Sequence, residues 1–174
     1  GTLVENCRVV SNSVTLAASV GGGIYLANGT LRNVVIYYNT AAGGVPQGIN
    51  LYQGGGTVTF SCATELTSGT GNTSAQPDFI DRVNGIYTFL PGSPCLNTGT
   101  NQGWMTGGVD LDGNARIVDD VVDMGAYETW PMTSGVFRIG FTGTPLMGPE
   151  PLRVVFTAVA GGTNTAGSYY RWDF

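Results

Sequence analysis

Two asparagines that each return 27 positions later constrain this chain more than any other feature. Gly1-Thr2-Leu3 leads to Asn6 and then Asn12, Gly29-Thr30-Leu31 leads to Asn33 and then Asn39, and both asparagines recur at an offset of 27. The Gly-Thr pair returns as Gly56-Thr57, followed by the alternating residues Val58, Phe60 and Cys62. Short apolar runs broken by Gly and Asn at such a period cannot bury their own inner face, so each repeat must lie on the next. The pattern predicts a parallel β-solenoid over residues 1–63, each strand paired with its equivalent about 4.8 Å along the axis, with Cys7 and Val9 beneath Val34 and Ile36. Asn12 and Asn39 are expected to form a structural ladder at one corner, where a side-chain amide can bond its stacked neighbour and Asn accepts left-handed backbone. A second marker, Gly23-Ile24-Tyr25-Leu26 against Gly48-Ile49-Asn50-Leu51, recurs at 25 and predicts that coil length varies in the loops. A β-sandwich containing two similar hairpins is the alternative on the same pattern.

Composition fits an all-β fold with many corners. Of 174 residues 28 are Gly, and only 11% are charged, against ordinary shares of about 7% and about 25%. The chain has no His and no Lys, its seven basic residues all being Arg. A His or Lys base, a His metal ligand, a Schiff base and a Walker-type lysine are therefore excluded from this stretch. A formal charge of −5 with dispersed arginines disfavours a nucleic-acid partner, and no apolar run approaches the roughly 20 residues of a membrane span. The sequons Asn28-Gly29-Thr30 and Asn72-Thr73-Ser74 carry little weight in a chain rich in Asn and Thr.

From Thr64 the periodicity fades into turns such as Ser68-Gly69-Thr70-Gly71-Asn72, Pro91-Gly92-Ser93-Pro94 and Asp112-Gly113-Asn114. Between them Asp78–Asp81, Ile86–Leu90, Arg116–Val118 and Val122–Tyr127 alternate as short strands do. An open solenoid end is an unpaired sheet edge, so residues 64–129 are expected to be its C-terminal cap. Cys7, Cys62 and Cys95 are odd in number, so at least one is unpaired within the chain. Cys7 is expected as a packed core thiol. A Cys62–Cys95 disulfide would tie the cap to the last coil, with three free thiols as the alternative. The candidate metal site is Asp110-x-Asp112-Gly113-Asn114, half of a calcium loop without the bidentate Glu; a plain Asx turn, with Arg116 pairing one of the carboxylates, is the competing reading.

Residues 57–128 resemble the C-terminal end of secreted bacterial right-handed parallel β-helix proteins of the choice-of-anchor Q type. The resemblance is carried by Thr57–Cys62, Gly69–Asn72, Gln76–Asp81, Gly92–Gly99, Asp110–Val118 and Val122–Glu128, in that order. It implies export, a right-handed solenoid, and joining to further modules. It also implies the Cys62–Cys95 pairing, since the two positions occur together in some of these proteins. The family pattern has an acidic residue where Asn97 stands and Pro where Ala115 stands, departures that weaken any acidic site there.

Trp130–Gly135 reads as a linker (residues 130–135). Residues 136–174 resemble the first part of a PKD-type immunoglobulin-like module, carried by Phe141, Gly148-Pro149-Glu150-Pro151-Leu152, Val154–Ala158 and Tyr170-Arg171-Trp172-Asp173-Phe174. A partial β-sandwich is expected there. Its missing half is expected to come from missing parts of the same chain or from copies of itself. The expected function is that of a non-catalytic, extracellular or cell-surface segment, structural or adhesive, with end-to-end filament assembly as one form of it. The alternative is polysaccharide binding or cleavage at a site mostly outside this stretch. No catalytic residues are assigned, because no carboxylate pair recurs on one strand face. No cofactor is expected beyond the calcium candidate, and carbohydrate is the candidate partner, met by Tyr25, Tyr37, Tyr38 and Tyr52 if they face outward.

Overall fold

The computed structural model describes residues 1–17, 19–42, 49–129, 138–144 and 155–161. Two compact units divide the chain, Gly1–Thr129 and Trp130–Phe174. Among the described residues the architecture is all-β, with strands and a single 3-10 turn at Gly103–Met105.

The first unit opens with β1 (Leu3–Glu5), β2 (Arg8–Val10), β3 (Ser13–Val14) and β4 (Ile24–Leu26). A second repeat follows as β5 (Thr30–Arg32), β6 (Val35–Tyr37), β7 (Thr40–Ala41) and β8 (Leu51–Gln53), and a third begins with β9 (Thr57–Thr59). Every pairing between them is parallel: Leu3 opposite Thr30, Val9 opposite Ile36, Ser13 opposite Thr40, Ile24 opposite Leu51, Leu31 opposite Val58. The strands are two or three residues long because a left-handed residue interrupts them at matching places. Asn6, Asn33 and Phe60 have φ of 51°, 53° and 49°, and Ser11 and Tyr38 both have 59°. The bend expected at Asn12 and Asn39 thus sits one residue earlier. A non-glycine in this region costs about 1–2 kcal/mol, which the stacking of like bend on like bend offsets.

One expected register is corrected, and one recurring tripeptide is out of step with the 27-residue register. Gly1-Thr2-Leu3 does not lie on Gly29-Thr30-Leu31, because Leu3 faces Thr30 and Val4 faces Leu31. That one-residue slip turns Leu3 outward, where it is 48% exposed, and leaves Val4 on the inner face. Nor does the 25-residue spacing hold, since Ile24, Tyr25 and Leu26 lie on Leu51, Tyr52 and Gln53. A shift of two residues keeps the same side chains on the same face, so alternation alone cannot tell the two registers apart.

The inner face holds one apolar cluster, including Leu26, Leu31, Val34, Ile36, Leu51 and Val58, all buried. Each such side chain contributes about 1.5–3 kcal/mol when fully removed from water. Ala63 and Leu66 close this cluster beyond the third repeat. The covering expected of residues 64–129 is split in two. Thr70 to Thr73 hydrogen-bonds along Phe60 to Ala63 and covers that part of the far edge. Phe79, Phe89, Cys95 and Met124 of the later part of this unit lie instead against the outward face of β2 and β6. There Val35 and Cys62 form a second cluster with Phe79, Phe89, Cys95 and Met124. β10 (Phe79–Asp81) pairs antiparallel with β11 (Ile86–Phe89) to build it. The strands expected at Arg116–Val118 and Val122–Tyr127 are irregular backbone. Left-handed Asp119, Asp120 and Gly125 bend that stretch, and its amides reach separate acceptors, Met124 to Cys95 and Gly125 to Asn33.

In the second unit β12 (Arg138–Thr144) pairs antiparallel with β13 (Val155–Gly161), Phe141 opposite Ala158. The linker at 130–135, Gly148–Leu152, Val154 and Tyr170–Phe174 lie outside the described residues.

Candidate functional site

Where the irregular stretch 104–127 runs past the first repeat, two adjoining cavities of about 310 Å³ each open. One is lined by Glu5, Asn6, Trp104, Asp110 and Arg116, the other by Arg8, Val10, Asn12, Tyr87 and Tyr127, and both share Leu111 and Ala126. Two carboxylates and two guanidiniums lie in or beside this groove. The Trp104 ring is 52% exposed at its rim and Leu111 is 70% exposed.

The charges are already partnered within the fold. Glu5 accepts from Arg32 Nε at 3.0 Å and from Trp104 Nε1 at 3.0 Å. Asp110 Oδ1 accepts from the Asp112 and Asn114 amides at 2.9 and 2.8 Å, and Oδ2 accepts from the Glu128 amide at 2.8 Å. These amides hold the Asp110 carboxyl below its ordinary range despite its burial.

Arg116 is buried and forms an ion pair with buried Glu128. It also donates to Asn6 Oδ1 at 2.9 Å and to the Gly125 carbonyl at 2.7 Å. One guanidinium therefore ties the outer segment to the first repeat. Burial, with Asp123 close by, pushes the Glu128 carboxyl up to about 8 even though Arg116 opposes the shift. Burial also raises the Asp123 carboxyl, and lowers Arg8 to about 10. Arg8 stands 4.1 Å over the Phe89 ring and 4.9 Å over Tyr127, and donates to the Tyr87 carbonyl. Such cation–π contacts are worth about 2 kcal/mol when desolvated. Its Nε and Nη2, like Asn6 Nδ2, are buried without a partner.

Asn12 Nδ2 donates to Asn39 Oδ1 at 3.1 Å, and Asn39 Nδ2 donates to Asn50 Oδ1 at 3.2 Å. Asn50, reached from a different place in its repeat, extends this ladder by a third member. A second ladder runs at the neighbouring corner, where Asn33 Nδ2 donates to Asn6 Oδ1 at 3.0 Å. Asn72 finishes the last repeat by accepting the Ser61 amide and donating to Val58, which uses up the side chain of that sequon.

At the calcium candidate, Asn114 turns its amide nitrogen toward Asp110 and Asp112 is exposed, the hydrogen bonding of an Asx turn. Arg116 pairs with Glu128, not with an aspartate of that turn. Among the described residues no three His, Cys, Asp or Glu side chains are grouped to hold a metal. All three cysteines are free thiols, with Cys62 and Cys95 buried in the same cluster. Cys62 Sγ donates to the Ala75 carbonyl at 3.2 Å, and the neighbouring Cys95 thiol together with burial raises Cys62 well above its ordinary value. Of the candidate tyrosines, Tyr25 and Tyr52 stack at 4.9 Å on the outside, while Tyr37 and Tyr38 pack in the second cluster.

The sequence reading gave no role to Arg8, Trp104 or Asn50, and gave Arg116 a partner in the Asp110–Asn114 turn instead of Glu128. For the arginines a signal was present: in a chain so poor in charge, an Arg inside an apolar strand pattern points to a buried, partnered cation. Compared with protein-family models, with curated proteins and with solved structures, the chain matches none. No helix among the described residues is long and apolar enough to cross a membrane.

Proposed function

We propose that residues 1–129 are the end of a right-handed parallel β-solenoid that serves as a structural or adhesive segment of a secreted or surface protein. The single observation that carries this is the constant register: all the strand pairs between repeats are parallel and 27 residues apart, with stacked asparagines at two corners. A parallel crossover of this kind is right-handed in about 98% of cases. The polar groups of the groove support a passive role, because Glu5, Asp110 and Arg116 spend their hydrogen bonds on neighbours in the fold. For end-to-end assembly into a filament, Thr70–Thr73 covers the far edge only along Phe60–Ala63, and among the described residues β7, β8 and β9 keep one unpaired side.

Polysaccharide binding is the second reading, favoured by the exposed Trp104 ring beside a polar groove. The Tyr25–Tyr52 pair supports it less, because stacked rings hide the faces a sugar would use. The test is incubation of the protein with acidic and neutral polysaccharides, reading released reducing ends and affinity electrophoresis. The passive reading expects neither cleavage nor retardation. Cleavage lost in Glu5→Gln or Asp110→Asn would overturn it in favour of an enzyme, and retardation lost in Trp104→Ala would do so in favour of a glycan binder.

A further inference from the structure

We propose that the open edge of the first repeat is a strand-addition site that takes one more 27-residue turn of the same pattern, laid parallel on β1 and β2. The proposal rests on the stacked-coil reading above and names the occupant of its free end. Among the described residues β1, β2, β3 and β4 each pair on one side only. Unpaired edges of this kind are templates for a further strand.

Three observations specify what that strand must be. First, the corner ladder leaves one side-chain amide unpaired. Asn33 donates its side-chain amide to Asn6 Oδ1, yet the equivalent Asn6 Nδ2 is buried with no acceptor. A buried amide left unpaired costs about 1–3 kcal/mol, and the repeat itself supplies the remedy, an amide carbonyl one strand spacing above. Second, the groove runs along this edge. Glu5 and Asn6 line one cavity, consecutive Arg8, Val9 and Val10 line the other, and Leu111 and Ala126 are common to both. Third, Val4, Cys7, Val9 and Ile24 carry the inner apolar face up to this end but remain only partly buried. The same face is closed at the other end by Ala63 and Leu66. A parallel turn with apolar residues above Val4 and Val9 and an Asn above Asn6 meets all three requirements. At the far end Thr70–Thr73 pairs Phe60–Ala63 while, among the described residues, β7, β8 and β9 keep one unpaired side, so a second copy of the chain is the competing occupant.

The experiment duplicates residues 1–27 in register ahead of Gly1 in the full chain, so that the added copy of Asn6 falls above the original. Amide exchange by NMR is read at β1, β2, β5 and β6 and at the Asn6 side chain, with the parent chain alongside. Exchange at β1, β2 and Asn6 Nδ2 is expected to slow by about tenfold or more. Changing only the added Asn to Leu should return the Asn6 side-chain protons toward the parent rate. If the added turn stays labile while β5 and β6 are protected, the docking proposal falls and the stacked repeats stand. If β5 and β6 are labile in the parent as well, the coil reading itself has failed. A parent chain that is dimeric in solution with β1 already protected assigns the edge to a second copy and overturns the proposal.

Discussion

The two faces of the β2–β6 sheet are held by different means. Inward, Val34 and Ile36 meet side chains of the same kind from the repeats before and after them. Outward, Val35 and Tyr37 meet a segment without periodicity, fastened by particular contacts such as Arg8 over Phe89 and Arg116 on Glu128 and Asn6. Redundant packing tolerates the loss of a member, because its neighbours keep their own partners. A fastening made of single buried charges does not, because removal strands whatever it was paired with.

The largest expected effect follows from that contrast. Arg116→Ala leaves Glu128 buried and unpaired and removes one of the two donors to Asn6 Oδ1, and should cost about 3–5 kcal/mol. Ile36→Val on the inner face should cost about 0.5–1.5 kcal/mol. Urea denaturation of both variants checks the ratio. A loss below that of Ile36→Val for Arg116→Ala would mean that the outer segment is not fastened by its charges.

The next effect concerns the thiols. Cys62 belongs to the repeats and Cys95 to the outer segment, and the two lie side by side in the buried cluster. Joining them with oxidised glutathione would close the outer segment onto the repeats. The loop so formed should stabilise by about 3–4 kcal/mol in the chain-entropy model. Alkylation under denaturing conditions with and without reductant counts the thiols. Oxidised protein with one reactive thiol and a raised melting temperature is expected, and three reactive thiols after oxidation would reject the pairing.

The inner face was legible in the sequence because stacking forces like residues to recur: the offset of Asn6 to Asn33 and Asn12 to Asn39 is the register the strands adopt. What misled was local similarity without register, as with Gly48-Ile49-Asn50-Leu51, which matches Gly23-Ile24-Tyr25-Leu26 at 25 residues while the strands pair at 27. The outer face was not legible because nothing in it repeats. The apolar alternation of Val122–Tyr127 reads as a strand, yet its amides go one by one to Asn101, Glu128, Cys95 and Asn33. Trp104 lies 99 positions from the Glu5 carboxylate it donates to, a distance over which no local pattern speaks.

The last expected effect isolates the fastening from the packing, because pH acts on the charges and leaves the apolar clusters alone. Glu128 is carried from its ordinary 4.5 to about 8 by burial and by Asp123, against the pull of Arg116. Between those two values the folded chain holds a proton that the unfolded chain has released, so stability must fall as pH rises through that interval. Raised Asp123 adds to the fall, while lowered Asp110 acts only under acid conditions, removing stability as pH drops through its ordinary 3.8. The melting temperature should therefore be highest near pH 5 and decline toward pH 8. In Glu128→Gln, which keeps an acceptor for Arg116 but cannot titrate, the decline should flatten. An equally steep decline in that variant would place the titration elsewhere and remove Glu128 from the account of how the outer segment is held.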